Sequence, residues 1–68
     1  MSTKDELRQV EEDLARLKAA TKDLREQVGD MGATDQVERS AMLQMADEQD
    51  ELIADLERRR ADLMQRLG

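Results

Sequence analysis

The sequence contains no cysteine, histidine, proline or aromatic residue, and only three of its 68 residues are glycine. Without cysteine and histidine, the chain has no disulfide, no thiolate chemistry and none of the ligand sets that usually hold zinc. The missing aromatic side chains remove the stacking groups that bind single-stranded nucleic acid. The scarcity of proline and glycine favours long helices. Apolar runs are only a few residues long, so we expect no membrane-spanning segment and no secretory signal.

The most informative pattern is a ladder of mostly apolar residues at alternating spacings of three and four. Its members are Leu7, Val10, Leu14, Leu17, Thr21, Leu24, Val28 and Met31. A 3.5-residue repeat is expected when one narrow stripe of a long helix is buried against another helix. Charged residues make up 41% of the chain, a share typical of both coiled coils and disordered chains. The ladder favours the coiled coil.

The ladder ends at two closely spaced glycines, where we expect the chain to reverse. Gly29 suits the position just after a helix, and Gly32 permits a positive φ. Inside one continuous helix, the two glycines would together cost roughly 2 kcal/mol. The sequence therefore predicts an all-α fold, a coiled-coil-like antiparallel helical hairpin. We expect a single domain over residues 1–68 with a turn at about residues 29–34.

The two predicted helices have recognisable starts. The first spans about residues 4–28, with the Thr3 hydroxyl as its N-cap. The second spans about residues 35–67, and either Thr34 or Asp35 caps it. Both helices are long, so they can pack against each other over most of the chain.

The second helix has a wider and less regular apolar stripe, which Gln49, Arg59 and Arg60 interrupt. The members of this stripe are Val37, Ala41, Met42, Met45, Ala46, Leu52, Ile53, Leu56, Leu63, Met64 and Leu67. A wide apolar face favours contact with more than one neighbouring helix.

Folding the chain about residues 31–32 pairs Thr21 with Met42 and leaves the end of the second helix without cover from the first. We therefore predict an oligomer interface formed by Leu56, Leu63, Met64 and Leu67. A two-helix hairpin of this length buries too little surface to offset an ordering entropy of about 1.5 kcal/mol per residue. We expect a homodimer, most simply an antiparallel four-helix bundle.

The charge is unevenly placed and argues against several functions. Residues 29–55 carry eight acidic side chains and one arginine, whereas residues 56–68 carry four arginines and two acidic side chains. A chain with net charge −6 is not expected to bind duplex nucleic acid.

Asp47, Glu51 and Asp55 could form a divalent-metal stripe or an acidic docking edge, but we interpret them as a solvated helix face. No hydroxyl has a candidate base beside it, so we expect no enzymatic activity, metal or cofactor.

A short acidic pattern, Asp35, Glu38 and Ser40, lies at the start of the second helix. It resembles the Asp-x-x-Asp-x-Ala motif at the coiled-coil tip of the DksA/TraR family of transcription regulators. The resemblance implies that an acidic tip of Asp30, Asp35 and Glu38 enters the secondary channel of RNA polymerase and acts near its active-site metal or mobile loops. It covers residues 35–41, and the zinc finger of that family has no counterpart because the chain lacks cysteine.

These features lead to two functional expectations. The first is a small cytoplasmic structural or protein-interaction module that is not an enzyme. It self-associates and binds an unidentified protein partner through its helical faces, without nucleic acid or membrane. The alternative is a transcription regulator that inserts its acidic tip into the polymerase channel. The uncovered apolar end supports the first, and the tip resemblance supports the second.

Overall fold

The protein folds as two long helices packed side by side. A computed structural model describes residues 2–32 and 36–68, with α1 at Thr3–Asp30 and α2 at Gln36–Leu67. The helices run antiparallel in a body about 50 Å long and 17 Å wide. The predicted all-α helical hairpin is therefore confirmed. Neither helix in the described part of the chain is long and apolar enough to cross a lipid bilayer.

The first helix begins one residue earlier than predicted, so the assignment of Thr3 as its N-cap is wrong. Ser2 has an extended backbone, and its hydroxyl accepts a hydrogen bond from the Asp5 amide at 3.2 Å. The Ser2 carbonyl also accepts the first helical bond, from the Glu6 amide at 3.0 Å. Thr3 is thus the first helical residue, and the serine satisfies one of the unpaired amides at the helix start.

The two glycines behave differently from each other. Gly29 lies inside α1, which continues to Asp30, so the prediction that Gly29 follows the helix is wrong. Gly32 has φ 66°, as its predicted role in the reversal requires. The predicted cap of α2 at Thr34 or Asp35 lies outside the described residues.

The stripe of α2 that faces α1 is a regular heptad pattern. Its buried and half-buried residues are Met42, Ala46, Gln49, Ile53, Leu56, Arg60 and Leu63. Spacings of three and four alternate throughout, as they do in α1. The interpretation of Gln49 and Arg60 as interruptions is therefore wrong, because both occupy regular positions of this seam. Met45 and Leu52 lie off the seam and are exposed.

The register of the two helices differs from the prediction by one heptad. Thr21 hydrogen-bonds Gln49, which lies seven residues beyond its predicted neighbour Met42. The ion pair between Glu11 and Arg60 has a similar offset. A slip of seven residues places equivalent seam positions opposite each other, so the apolar pattern alone cannot distinguish the two registers. Residues that lie level in α1 and α2 therefore have numbers that sum to about 70, as Thr21 and Gln49 do.

This register covers Leu63, which the predicted register leaves without a neighbour on α1. Leu63 is only 2% exposed and forms a cluster with Val10 and Leu14. Leu7 and Leu56 pack against the same cluster. The prediction that Leu63 is uncovered is wrong, because the heptad shift brings the start of α1 over it.

Candidate interaction surfaces

Three basic side chains form ion pairs between the helices along one side of the seam, which we call the ion-paired flank; Arg25 pairs with both Asp50 and Asp47. Arg25 forms a bidentate pair with Asp50, in which one N–H···O separation, from Nη1 to Oδ1, is 3.2 Å. Lys18 Nζ lies 2.9 Å from an oxygen of Glu57. The third basic side chain, Arg60, pairs through Nε with a Glu11 oxygen at 3.3 Å. Oppositely charged side chains of α1 and α2 therefore contact each other along most of this flank.

The Arg25–Asp50 pair shifts the titration of both groups. The hydrogen bond from Arg25, followed by its charge, lowers the pKa of the Asp50 carboxyl, while partial desolvation opposes that change. The pKa of Arg25 is raised, chiefly by the same hydrogen bond. Both side chains remain well exposed to solvent, so salt screens the pair and its contribution to stability is small.

The seam has a polar centre at Thr21 and Gln49. Thr21 is 3% exposed, and its Oγ1 lies 2.8 Å from the Leu17 carbonyl oxygen and 2.7 Å from Gln49 Oε1. A hydroxyl has one proton, so it donates to only one of these oxygens. A 180° flip of the Gln49 side-chain amide exchanges its oxygen and nitrogen. The NH₂ group then donates to Thr21 Oγ1, while the Thr21 hydroxyl donates to the Leu17 carbonyl oxygen. Both buried polar groups are then satisfied.

The other side of the seam is apolar at its centre. Met45 and Leu52 are 49% and 54% exposed, and they lie one heptad apart on α2. Each directly precedes a seam residue, whereas Asp50 and Glu57 each directly follow one. This difference places the two pairs of residues on opposite sides of the seam. Large apolar side chains therefore face solvent where the ion-paired flank has charges.

Residues of α1 complete this apolar flank. Ala20 occupies the position on α1 equivalent to that of Met45 and Leu52, and it is exposed. Leu17 and Leu24 are seam residues on the same side, and both are only half-buried. We define the apolar flank as these five residues. Every ion pair that joins the helices within residues 2–32 and 36–68 lies on the opposite flank.

The four residues predicted as an oligomer interface do not form one patch. Leu63 is inside the hairpin, and Leu56 is half-buried in the seam. Met64 is exposed but follows a seam residue, so it lies on the side of the ion-paired flank. Leu67 is exposed at the end of α2. An interface role for Leu56, Met64 and Leu67 stays a prediction.

The acidic tip is described only in part. Asp30 is the exposed last residue of α1, and Glu38 is exposed in the first turn of α2. Asp35 lies outside the described residues. Within the described ranges, no cluster of three or more acidic side chains is arranged to hold a metal ion. The predicted action of this tip in a polymerase channel stays a prediction.

Sequence reasoning missed the apolar flank because it merged two rows of α2 into one wide stripe. The predicted stripe includes Met45 and Leu52 together with the seam residues. The available signal was their spacing of seven, which Glu38 and Arg59 continue in both directions. A row that keeps one heptad position stays on one side of a coiled coil.

No family model matches the chain, and neither a curated protein nor a solved structure is significantly similar to it. The surfaces of the hairpin are therefore the basis for inferring its function.

Proposed function

We propose that this protein is a non-enzymatic helical interaction module that self-associates through its apolar flank, forming a four-helix bundle from two hairpins. The observation that carries the proposal is the asymmetry of the two flanks. The ion-paired flank has charges at its centre and exposes Leu43 and Met64 only towards its ends, three heptads apart. The apolar flank exposes Met45 and Leu52 at its centre, one heptad apart. A pair of exposed apolar side chains beside half-buried seam residues is suited to covering by another helical surface.

The small interior of one hairpin supports the same proposal. The buried apolar residues in the described part of the chain are Val10, Leu14, Val28, Ala46 and Leu63. A core of this size provides little burial for two helices of 28 and 32 residues. A second hairpin on the apolar flank would bury Met45 and Leu52 and complete the cover of Leu17 and Leu24, as in a four-helix bundle.

A second copy of the chain is the occupant that this surface fits best. The apolar flank has no charged member, so an isologous contact places equivalent apolar surfaces against each other. The ion-paired flank then stays in solvent, where opposite charges on long side chains keep the assembly soluble.

The test compares two double variants of matched chemistry by sedimentation equilibrium. Met45→Ser with Leu52→Ser removes the apolar flank, and Leu43→Ser with Met64→Ser removes two exposed apolar residues from the other side. We expect the unaltered protein and the second variant to sediment as dimers of the 7.8 kDa chain, and the first variant as a monomer. A monomeric unaltered protein at micromolar concentration contradicts the proposal, and so does loss of the dimer in the second variant alone.

A further inference from the structure

We propose that the two hairpins dock with their turns at opposite ends, with α2 lying antiparallel against α2 of the second copy. This inference rests on the proposed self-association and specifies its geometry. The contact is set by four exposed residues of α2 at seven-residue spacing, which we call the heptad row: Glu38, Met45, Leu52 and Arg59.

The heptad row is complementary to itself when it is reversed. Its order is acid, apolar, apolar, base. In an antiparallel contact centred between Met45 and Leu52, Met45 of each copy meets Leu52 of the other. Glu38 of each copy then meets Arg59 of the other, so every position has a compatible partner. A parallel contact of the same rows would place Glu38 against Glu38 and Arg59 against Arg59, which is repulsive.

The charged ends of the row are available for a second copy. Neither Glu38 nor Arg59 forms an ion pair with another residue in the described ranges. Arg59 lines a shallow groove with Asp13 on the same side of the hairpin. Asp13 is already engaged within α1, because it accepts hydrogen bonds from Arg16 at 2.5 Å and Gln9 at 3.0 Å. Glu6 lines the same groove and is not in an ion pair within the described ranges. We expect Glu38 of the second copy to compete with Glu6 for Arg59.

The distribution of charge along the hairpin favours the same orientation. Residues 22–50, which lie towards the turn, carry three basic and eight acidic side chains, whereas the rest of the chain carries eight basic and nine acidic ones. Docking with turns at opposite ends keeps the two acidic halves apart along a body 50 Å long. In the proposed contact the acidic stretches of α2, residues 36–50, are centred about 16 Å apart, which is about two Debye lengths at physiological ionic strength.

One other bundle arrangement is compatible with an apolar flank. Turns at the same end would place α1 of one hairpin against α2 of the other, with Ala20 near Leu52. That arrangement brings the two acidic halves together and leaves Glu38 without a basic partner. The two arrangements differ in the expected effect of reversing the charge of Glu38. They also differ in the distance between the C-terminal ends of α2 in the two copies.

The first arm of the test reverses the charges of the row. At low salt we expect Glu38→Arg alone, or Arg59→Glu alone, to weaken dimerisation about tenfold, because each change turns two symmetric attractions into repulsions. The double variant Glu38→Arg with Arg59→Glu should recover the dimer to within about threefold of the unaltered protein. Glu51→Arg, on the outer face of α2, is the matched control and should leave the dimer constant unchanged. Additive weakening in the double variant would overturn the inference.

The second arm measures orientation directly, using nitroxide labels on Gln65→Cys, an exposed site near the end of α2. Each label lies about 16 residues from the centre of the proposed contact, so opposite-end docking predicts about 50 Å between the two labels. Same-end docking predicts about 30 Å across the bundle. A dimer with the shorter distance overturns the orientation and leaves self-association intact. A monomer in sedimentation overturns both.

Discussion

Thr21 of α1 and Gln49 of α2 meet in the middle of the seam, with 2.7 Å between Thr21 Oγ1 and Gln49 Oε1. A slip of one heptad in either direction would keep apolar positions facing each other but would place Thr21 against Met42 or Leu56. Such a slip separates the buried Thr21 hydroxyl from the half-buried Gln49 amide, so the hydrogen bond between them is lost. This polar pair, together with the ion pairs of the ion-paired flank, therefore favours one of the registers that the apolar pattern leaves open.

Removing this pair should relax the register. We expect Thr21→Val with Gln49→Leu to raise the midpoint of thermal unfolding, because two polar groups leave the seam. Labels at Ala19 and Glu51, which lie nearly level on the outer faces, should then report a second population shifted by about 10 Å along the axis. Diluting labelled chains with unlabelled ones isolates the distance within one hairpin. A single unshifted distance in the double variant would show that the register does not depend on this polar pair.

Leu63 should be important for stability. Its side chain is 2% exposed and packs with Val10 and Leu14, so Leu63→Ala leaves a cavity in the centre of the cluster. We expect a loss of about 2–4 kcal/mol in the free energy of unfolding. Denaturant unfolding at one fixed protein concentration measures it, because dimerisation is linked to stability. Leu43→Ala, at an exposed site, is the control and should cost much less. Equal losses in the two variants would contradict the assigned register.

The two glycines near the reversal should respond in opposite directions to the same substitution. Gly29 lies inside α1 with nothing within 4 Å of an added Cβ, so Gly29→Ala should stabilise the protein by about 0.5–1 kcal/mol. Gly32 has φ 66°, and Gly32→Ala should destabilise it by about 1–2 kcal/mol. Thermal unfolding followed by circular dichroism measures both effects. Stabilisation by both alanines would contradict the left-handed conformation at Gly32.

The Asp50 carboxyl should contribute to the acid sensitivity of the fold. Because Arg25 lowers the pKa of Asp50 in the folded state, its stabilisation is present above the ordinary carboxyl pKa. It is lost as the pH falls through the lowered folded value. Unfolding measured between neutral and acidic pH should therefore show a smaller decline for Asp50→Asn than for the unaltered protein. Glu51→Gln, at an exposed site outside the ion pairs, should keep the original decline. High salt should reduce the difference.

Much of the architecture follows from the sequence because it depends on local and periodic properties. The spacing of apolar residues from Leu7 to Met31 predicts one face of α1, and a positive φ at Gly32 is consistent with a reversal. The register does not follow from the same pattern, because heptad positions repeat every seven residues. The apolar flank does not follow from the sequence either. Distinguishing exposed Met45 from the neighbouring seam residue Ala46 requires knowing which residues of α2 face α1.

The central claim is that a second copy of the chain covers Met45. The methyl group of Met45 reports directly on that contact. In protein labelled with ¹³C at the methionine methyls, a soluble paramagnetic agent broadens the signals of accessible groups. Met45 and Met64 are each 49% exposed in the isolated hairpin, so they form a matched pair. As protein concentration rises through the dimer transition, we expect the Met45 methyl to become protected while the Met64 methyl stays accessible. Equal broadening of both signals at every concentration, or protection of Met64 alone, would contradict the account.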